Sequence, residues 1–386
     1  MTQSPGRPSI IEATTGRVRA MYSKAIGRRR HELITPALVL DVDAAQRNIE
    51  LMASRLRGLP AGIRPHVKCY KSPEIARRQI AAGALGVCTA TVWEAMVMVE
   101  AGITDVFVVN TLAGPDKIRA LAELAREAHI RVAVDEAASA DVLSKAAVAA
   151  GSTLGIMIEV DTGMDRAGVD DADAALALAR HVVKLPGLRL DGLTGYEGHC
   201  SLTPERDLRL EKQRTAMALF TGVADRIISA GIPVPVLSAG GTGTWEWTAA
   251  NPRLTEVQAG TYVVMDMFHG HMSPGFEHSL TVQTTVISRP RGHVIVDAGN
   301  KSMGAGALAT IVGFPYESFR FDEEHGIFNA PDDSPLKVGD SVSLVPGYSP
   351  GTVNWYDAYH VVKDDVVVDI WPVVPRGPGH NGLLAG

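Results

Sequence analysis

The sequence predicts an α/β protein: a (β/α)₈ barrel of the TIM type followed by a mainly β C-terminal domain. Three observations carry this expectation. Between residues 63 and 258, eight short apolar runs alternate with alanine- and leucine-rich stretches of helical period. Past about residue 272 the texture changes to two-residue alternation broken by Gly, Pro and Asp. Polar and glycine-rich motifs follow several of the eight runs, at the strand ends where such barrels carry their chemistry.

Taken in order, Thr35-Pro36 opens an apolar strand over 37–41, and Asp43 reads as the N-cap of a helix that buries Ile49, Met52 and Leu56. The eight barrel strands are expected at 63–67, 85–88, 105–109, 131–134, 154–160, 188–196, 234–238 and 254–258. Helices between them are expected over 73–82, 91–101, 115–128, 137–150 and 172–184. The first of these starts with Ser72 as cap and Pro73 at the first helical position. Eight such units suit a closed barrel better than an open doubly wound sheet, which commonly has fewer strands. Further strands are expected at 280–288, 293–297, 341–345, 358–362 and 366–372. The strand at 37–41 precedes the count of eight. The division expected is therefore an N-terminal arm and first strand over 1–44 joining the β domain, a barrel over 45–271 and a β domain over 272–386.

With 386 residues the chain can bury a large core and is long for one compact unit. A formal net charge of −6 gives no reason to expect nucleic acid as a partner. Cys69, Cys88 and Cys200 are too few and odd in number for a disulfide framework, which fits a reducing, cytoplasmic setting. The first thirty residues carry Arg17, Arg19, Lys24, Arg28, Arg29 and Arg30 but no uninterrupted apolar run. Neither a secretory signal nor a membrane span is expected there, and the segment reads as a loosely ordered arm or oligomer contact.

Four groups of residues fall at or just past predicted strand ends. Lys68 follows the strand at 63–67. An amine held there among apolar side chains is nucleophilic and can form a Schiff base with an aldehyde, although a salt-bridging surface lysine is the competing account. Arg166, in the turn-rich stretch 161–168, offers a guanidinium to a phenolate, carboxylate or phosphate, or to a rim salt bridge. Tyr196 and His199, after the strand at 188–196, can stack on a ring, hydrogen-bond to it or move protons near neutral pH. Ser238-Ala239-Gly240-Gly241-Thr242 follows the seventh strand, where backbone amides and hydroxyls can cradle a phosphate. Gly260-Thr261-Tyr262, after the eighth, closes its other side.

A Schiff-base lysine, a phosphate cradle and a ring-contacting aromatic on neighbouring strand ends are what pyridoxal 5′-phosphate requires. These motifs, with Thr35-Pro36-Ala37-Leu38-Val39-Leu40-Asp41, Arg64-Pro65-His66-Val67-Lys68 and Asp161-Thr162-Gly163, resemble the D-threonine aldolase and D-serine dehydratase group of fold-type III pyridoxal enzymes, relatives of alanine racemase. The resemblance runs from about residue 35 to 376. It implies an alanine racemase-like barrel plus a β domain, working as a homodimer with a shared active site. It also implies Lys68 as the cofactor-bearing lysine, and His66, Arg166, Tyr196, Ser238, Gly240, Gly241, Thr242, Gly260, Thr261 and Tyr262 as cofactor contacts.

One departure stands out. Where the group carries a histidine and a following Asp or Cys that bind a divalent metal, this chain has Tyr348 and Pro350. Neither suits a hard cation, so no metal is expected at that place. Glu324-His325 still matches a family element, whereas His269 and His271 read as polar loop residues. The expected reaction is retro-aldol cleavage of a D-β-hydroxy-α-amino acid, with His199, His325 or Tyr348 taking the hydroxyl proton. Racemisation or epimerisation and dehydration with loss of ammonia are the alternatives. A non-catalytic pyridoxal-phosphate carrier is disfavoured by the long β domain. Trp245, Trp247 and Trp355 hint at an aromatic-lined pocket.

Overall fold

The computed structural model of the chain describes residues 9–304 and 308–379. Strand β1 (Ala37–Asp41) is followed by β2 (Gly62–Ile63), β3 (Val87–Thr89), β4 (Asp105–Val108), β5 (His129–Val134), β6 (Leu154–Val160), β7 (Leu188–Gly195), β8 (Val236–Ala239) and β9 (Glu256–Val257). Strands β2 to β9 form one parallel sheet in the order β2-β9-β8-β7-β6-β5-β4-β3. A parallel bridge between His66 and Cys88 joins its two ends into a barrel. All eight barrel strands fall where the sequence places them, several with shifted ends.

The shift at β2 has a local cause. Pro65 has no amide to continue a ladder, and Arg64 turns into the barrel, where its guanidinium meets Glu256 at 2.9 and 2.7 Å and Asp105 at 2.8 Å. Arg131 reaches Glu256 at 3.1 Å and Asp191 at 3.2 Å, so the lower half of the barrel holds a paired ionic cluster. Above it Cys88, Phe107, Ala133 and Met157 pack together, fully buried.

The helices begin on capping side chains. Ser72, Thr91 and Asp171 each accept an amide of the first turn. The cap of the helix Val42–Leu56 is Asp41, which accepts the Ala44 amide at 2.9 Å, and Asp43 lies inside the first turn instead of capping it. A 24-residue helix, Arg206–Ser229, fills the connection between β7 and β8, outside the helices expected from the sequence.

Beyond the barrel lie β10 (Leu280–Ser288), β11 (His293–Val296), β12 (Ala309–Ile311), β13 (Ser318–Phe321), β14 (Gly326–Asn329), β15 (Ser341–Pro346), β16 (Ala358–Lys363) and β17 (Val366–Pro372). Among the described residues they form a nine-stranded sheet with β1, which runs antiparallel to β10 (Ala37 opposite Gln283) and parallel to β16 (Val39 opposite His360). Three of these strands, β12 to β14, lie outside the strands expected from the sequence.

The N-terminal segment corrects another expectation. Residues 10–22 form a helix, not a loose arm, because Ser9 and Glu12 make a reciprocal capping box. Arg19 donates to the Ile370 carbonyl at 3.3 Å and Tyr22 meets His360 edge-on at 5.6 Å, fixing the helix on β16 and β17.

Candidate active site

At the C-terminal ends of the barrel strands opens a cavity of about 730 Å³. Lys68 lines it from a single helical turn, Val67–Cys69, which follows β2; His66 caps that turn by accepting the Lys68 amide at 3.4 Å. The lysine is half-buried, and its amine lies 5.6 Å from the centroid of the Tyr196 ring. Arg166 lies 5.7 Å from the same centroid, on the loop 161–168. Asp161 shapes that loop by accepting the amides of Gly163 and Met164 at 2.9 and 2.8 Å. Glu159 faces Arg166 at 3.7 Å; burial raises the affinity of its carboxyl for a proton above the ordinary range, against the attraction of the guanidinium.

The glycine loop after β8 forms another wall. Gly241 and Thr242 line the cavity, as do Gly260 and Thr261 after β9. The loop is built around a residue to which the sequence reading assigns no role. Glu197, fully buried, accepts the Gly240 amide at 3.2 Å and the hydroxyls of Thr244 and Thr248 at 2.7 and 3.4 Å. Burial pushes its carboxyl pKa up, and those three donors pull the other way. Gly240 therefore contributes a turn at φ +83°, while its amide belongs to Glu197.

The amides of Thr242 and Gly243 have no acceptor among the described residues. The Thr242 hydroxyl accepts the Tyr262 amide at 3.2 Å, which leaves its own proton for the cavity. A side chain at position 241 would place Cβ 3.2 Å from the Tyr196 ring, so glycine keeps this floor clear. Free amides, a donor hydroxyl and a cleared floor beside a lysine fit the phosphate and aldehyde ends of pyridoxal phosphate.

Several predicted residues lie elsewhere. Ser238 is buried behind the wall, its hydroxyl accepting from Gln258 at 3.0 Å. Tyr262 is buried too, with its hydroxyl on Gln79 at 2.8 Å and its ring against Phe276. His325 is exposed on the turn before β14, outside the cavity. The three tryptophans also lie outside it: Trp245 packs on Phe276, Trp247 sits under Arg206 and Arg209, and Trp355 is exposed.

His199 and Tyr348 both line the cavity. The buried Nδ1 of His199 has no partner among the described residues, and its Nε2 is 3.6 Å from the Cys200 sulfur. The Tyr348 phenol is pushed up to about 12, chiefly by burial, so it stays protonated at neutral pH. Tyr348 and Pro350, at the places where the resemblance puts metal ligands, face this same cavity. Of the two loop histidines, His271 is exposed, but His269 is buried and lines the cavity; an aspartate three residues before it, Asp266, was the signal available in the sequence.

Fold and cavity together define an alanine racemase-like two-domain chain. Residues 40–267 match the family model for the alanine racemase N-terminal domain, and residues 279–362 match the putative serine dehydratase domain. The chain belongs to this alanine racemase-like family. It is 38% identical to a D-threonine aldolase of an Arthrobacter species, over 89% of this chain and 93% of that protein. It is 30% identical to a D-threo-3-hydroxyaspartate dehydratase of Delftia sp. strain HT23, over 88% and 97% of the two chains. The crystal structure of D-threonine aldolase from Filomicrobium marinum superposes with a TM-score of 0.88 at 34% identity, covering 91% of this chain and 98% of that one.

Proposed function

We propose that this protein is a pyridoxal 5′-phosphate-dependent lyase that cleaves D-configured β-hydroxy-α-amino acids to glycine and an aldehyde. The observation that carries the reading is a single cavity lined both by the Lys68 amine and by the cleared Gly241-Thr242 floor, in a chain 38% identical to a D-threonine aldolase. The cofactor, when bound, supplies an electron-withdrawing ring next to the substrate Cα. Lys68 would hold its aldehyde end. The amides of Thr242 and Gly243 and the hydroxyl of Thr242 would hold its phosphate, together with Gly260 and Thr261, and Arg166 and Tyr196 would contact its ring. Lys68 also returns the proton that Cα needs after cleavage.

The reaction runs without a metal at the place of Tyr348 and Pro350, because a protonated phenol and a proline offer a hard cation no ligand. The working unit is a homodimer, supported by the apolar side chains of Leu202 and Leu308, which line the cavity yet are 73% and 50% exposed on the single chain. Three buried cysteines, all unpaired, suit the cytoplasm, and no described helix is long and apolar enough to cross a membrane.

The test is to reduce the cofactor-loaded protein with borohydride, map the labelled residue, and assay a panel of D- and L-β-hydroxy amino acids with and without EDTA. Label on Lys68, glycine plus aldehyde from the D-isomers and no loss with EDTA are expected. Label elsewhere contradicts the site. Release of keto acid and ammonia would favour dehydration, the reaction named for the Delftia relative. Loss of turnover in EDTA, restored by added metal, contradicts the metal-free form.

A further inference from the structure

Retro-aldol cleavage needs a group that takes the proton of the substrate β-hydroxyl, and four side chains compete for that role. Tyr348 keeps its own proton at neutral pH and serves as a donor. His325 is outside the cavity. His199 lines it, but among the described residues no carboxylate orients its ring and its buried Nδ1 has no partner, while Nε2 faces a thiol. His269 differs from all three. Its Nδ1 lies 2.8 Å from Asp266 Oδ1, and the same oxygen accepts the His269 amide at 2.9 Å. Asp266 is fully buried, and its other oxygen accepts the amide and hydroxyl of Ser349 at 2.9 and 3.1 Å. Four donors therefore fix the carboxylate, and the carboxylate fixes the ring.

An acceptor at Nδ1 places the imidazole proton there and leaves the lone pair on Nε2. Tyr348 stacks on the ring, with centroids 6.5 Å apart and planes at 24°, and both side chains line the cavity that Lys68 enters. Tyr348 precedes the Ser349 that Asp266 holds, so a single buried aspartate positions both the imidazole and the phenol.

We infer that His269, oriented by Asp266, is the base that removes the β-hydroxyl proton in this protein, an assignment that rests on the aldolase reading. The hydroxyl proton passes to Nε2, and the O–H electron pair becomes the second bond of the product aldehyde. The Cα–Cβ bond breaks with its electrons left on Cα, which regains a proton from Lys68. His269 then loses its proton to solvent, and Lys68 regains one from solvent. Tyr348 donates a hydrogen bond to the same oxygen. Asp266 is a positioning residue and touches no reacting atom.

The experiment compares the cofactor-loaded wild type with His269→Gln and His269→Ala in two assays. One is aldehyde release from D-threonine. The other is exchange of the Cα hydrogens of glycine in heavy water, which needs Lys68 and the cofactor but no hydroxyl base. The expected result is a fall of kcat for aldehyde release by about 10²- to 10⁴-fold, retained exchange, and partial recovery of His269→Ala by added imidazole. Cleavage by His269→Gln at the wild-type rate overturns the inference alone, as does a parallel loss of cleavage and exchange. Wild type that exchanges glycine yet releases no aldehyde from any D-β-hydroxy amino acid overturns the aldolase reading and the inference with it.

Discussion

Glu197 shows how one buried side chain shapes the glycine loop. Its carboxylate satisfies the Gly240 amide and the Thr244 and Thr248 hydroxyls. Replacement by alanine strands all three, and each unsatisfied donor costs about 1–3 kcal/mol. The Glu197→Ala variant is expected to unfold at clearly lower urea and to bind pyridoxal phosphate more weakly, measured by denaturation midpoint and by absorbance titration. Glu197→Gln retains an acceptor oxygen but adds donors facing donors, so it should fall between the two. An unchanged cofactor affinity in Glu197→Ala would show that the loop holds its shape without this carboxylate.

Elements were legible where period and caps agree. The alternation of apolar runs with helical stretches marked all eight barrel strands, and Ser72 with Pro73 marked a helix start that the structure retains. Ends were less legible, because β2 stops short of Pro65, which has no amide for a ladder, and the Arg64 side chain beside it is held by Glu256 and Asp105, partners 192 and 41 residues away in sequence. The lysine turn and glycine loop of the site were readable as motifs. Glu197 was not, and the Asp266–His269 pair showed only as a three-residue spacing, since a carboxylate or imidazole gains its role from which buried donors face it. The Arg64 cluster also predicts a cost: Arg64→Ala removes two of the three bonds to the buried Glu256 and leaves Arg131 at 3.1 Å as its remaining partner, and breaking a buried pair costs up to about 3–5 kcal/mol. A denaturant melt of Arg64→Ala within error of wild type would mean that Arg131 alone neutralises Glu256.

Two features act on the whole molecule. Burial, the largest cause, holds His66 well below and His360 below the ordinary 6.5, so both are neutral in the folded chain. The unfolded chain binds more protons than the folded one below about pH 6.5. Stability is therefore full above that pH and falls as acid is added toward the folded-state values. Glu159 and Glu197, raised by burial above 4.5, act in the opposite sense nearer that pH. A thermal midpoint that declines from about pH 6.5 downward, with a shallower decline in His66→Gln, is expected.

The second feature joins barrel to β domain. Lys71 at φ +47° turns its amine onto Glu94 at 2.7 Å and onto the Pro375 carbonyl at 2.9 Å, and Tyr359 on β16 donates to the Tyr70 carbonyl. The Lys71–Pro375 and Tyr359–Tyr70 bonds cross between the two parts, so separating them leaves buried polar groups on both sides without partners. Lys71→Met leaves the Glu94 carboxylate buried and unpaired, at about 3–5 kcal/mol. Adding Glu94→Leu removes that stranded charge and should recover part of the loss. In both variants fluorescence and circular dichroism should trace one shared transition. A melt in which the barrel outlasts the β domain would show that these contacts do not couple them.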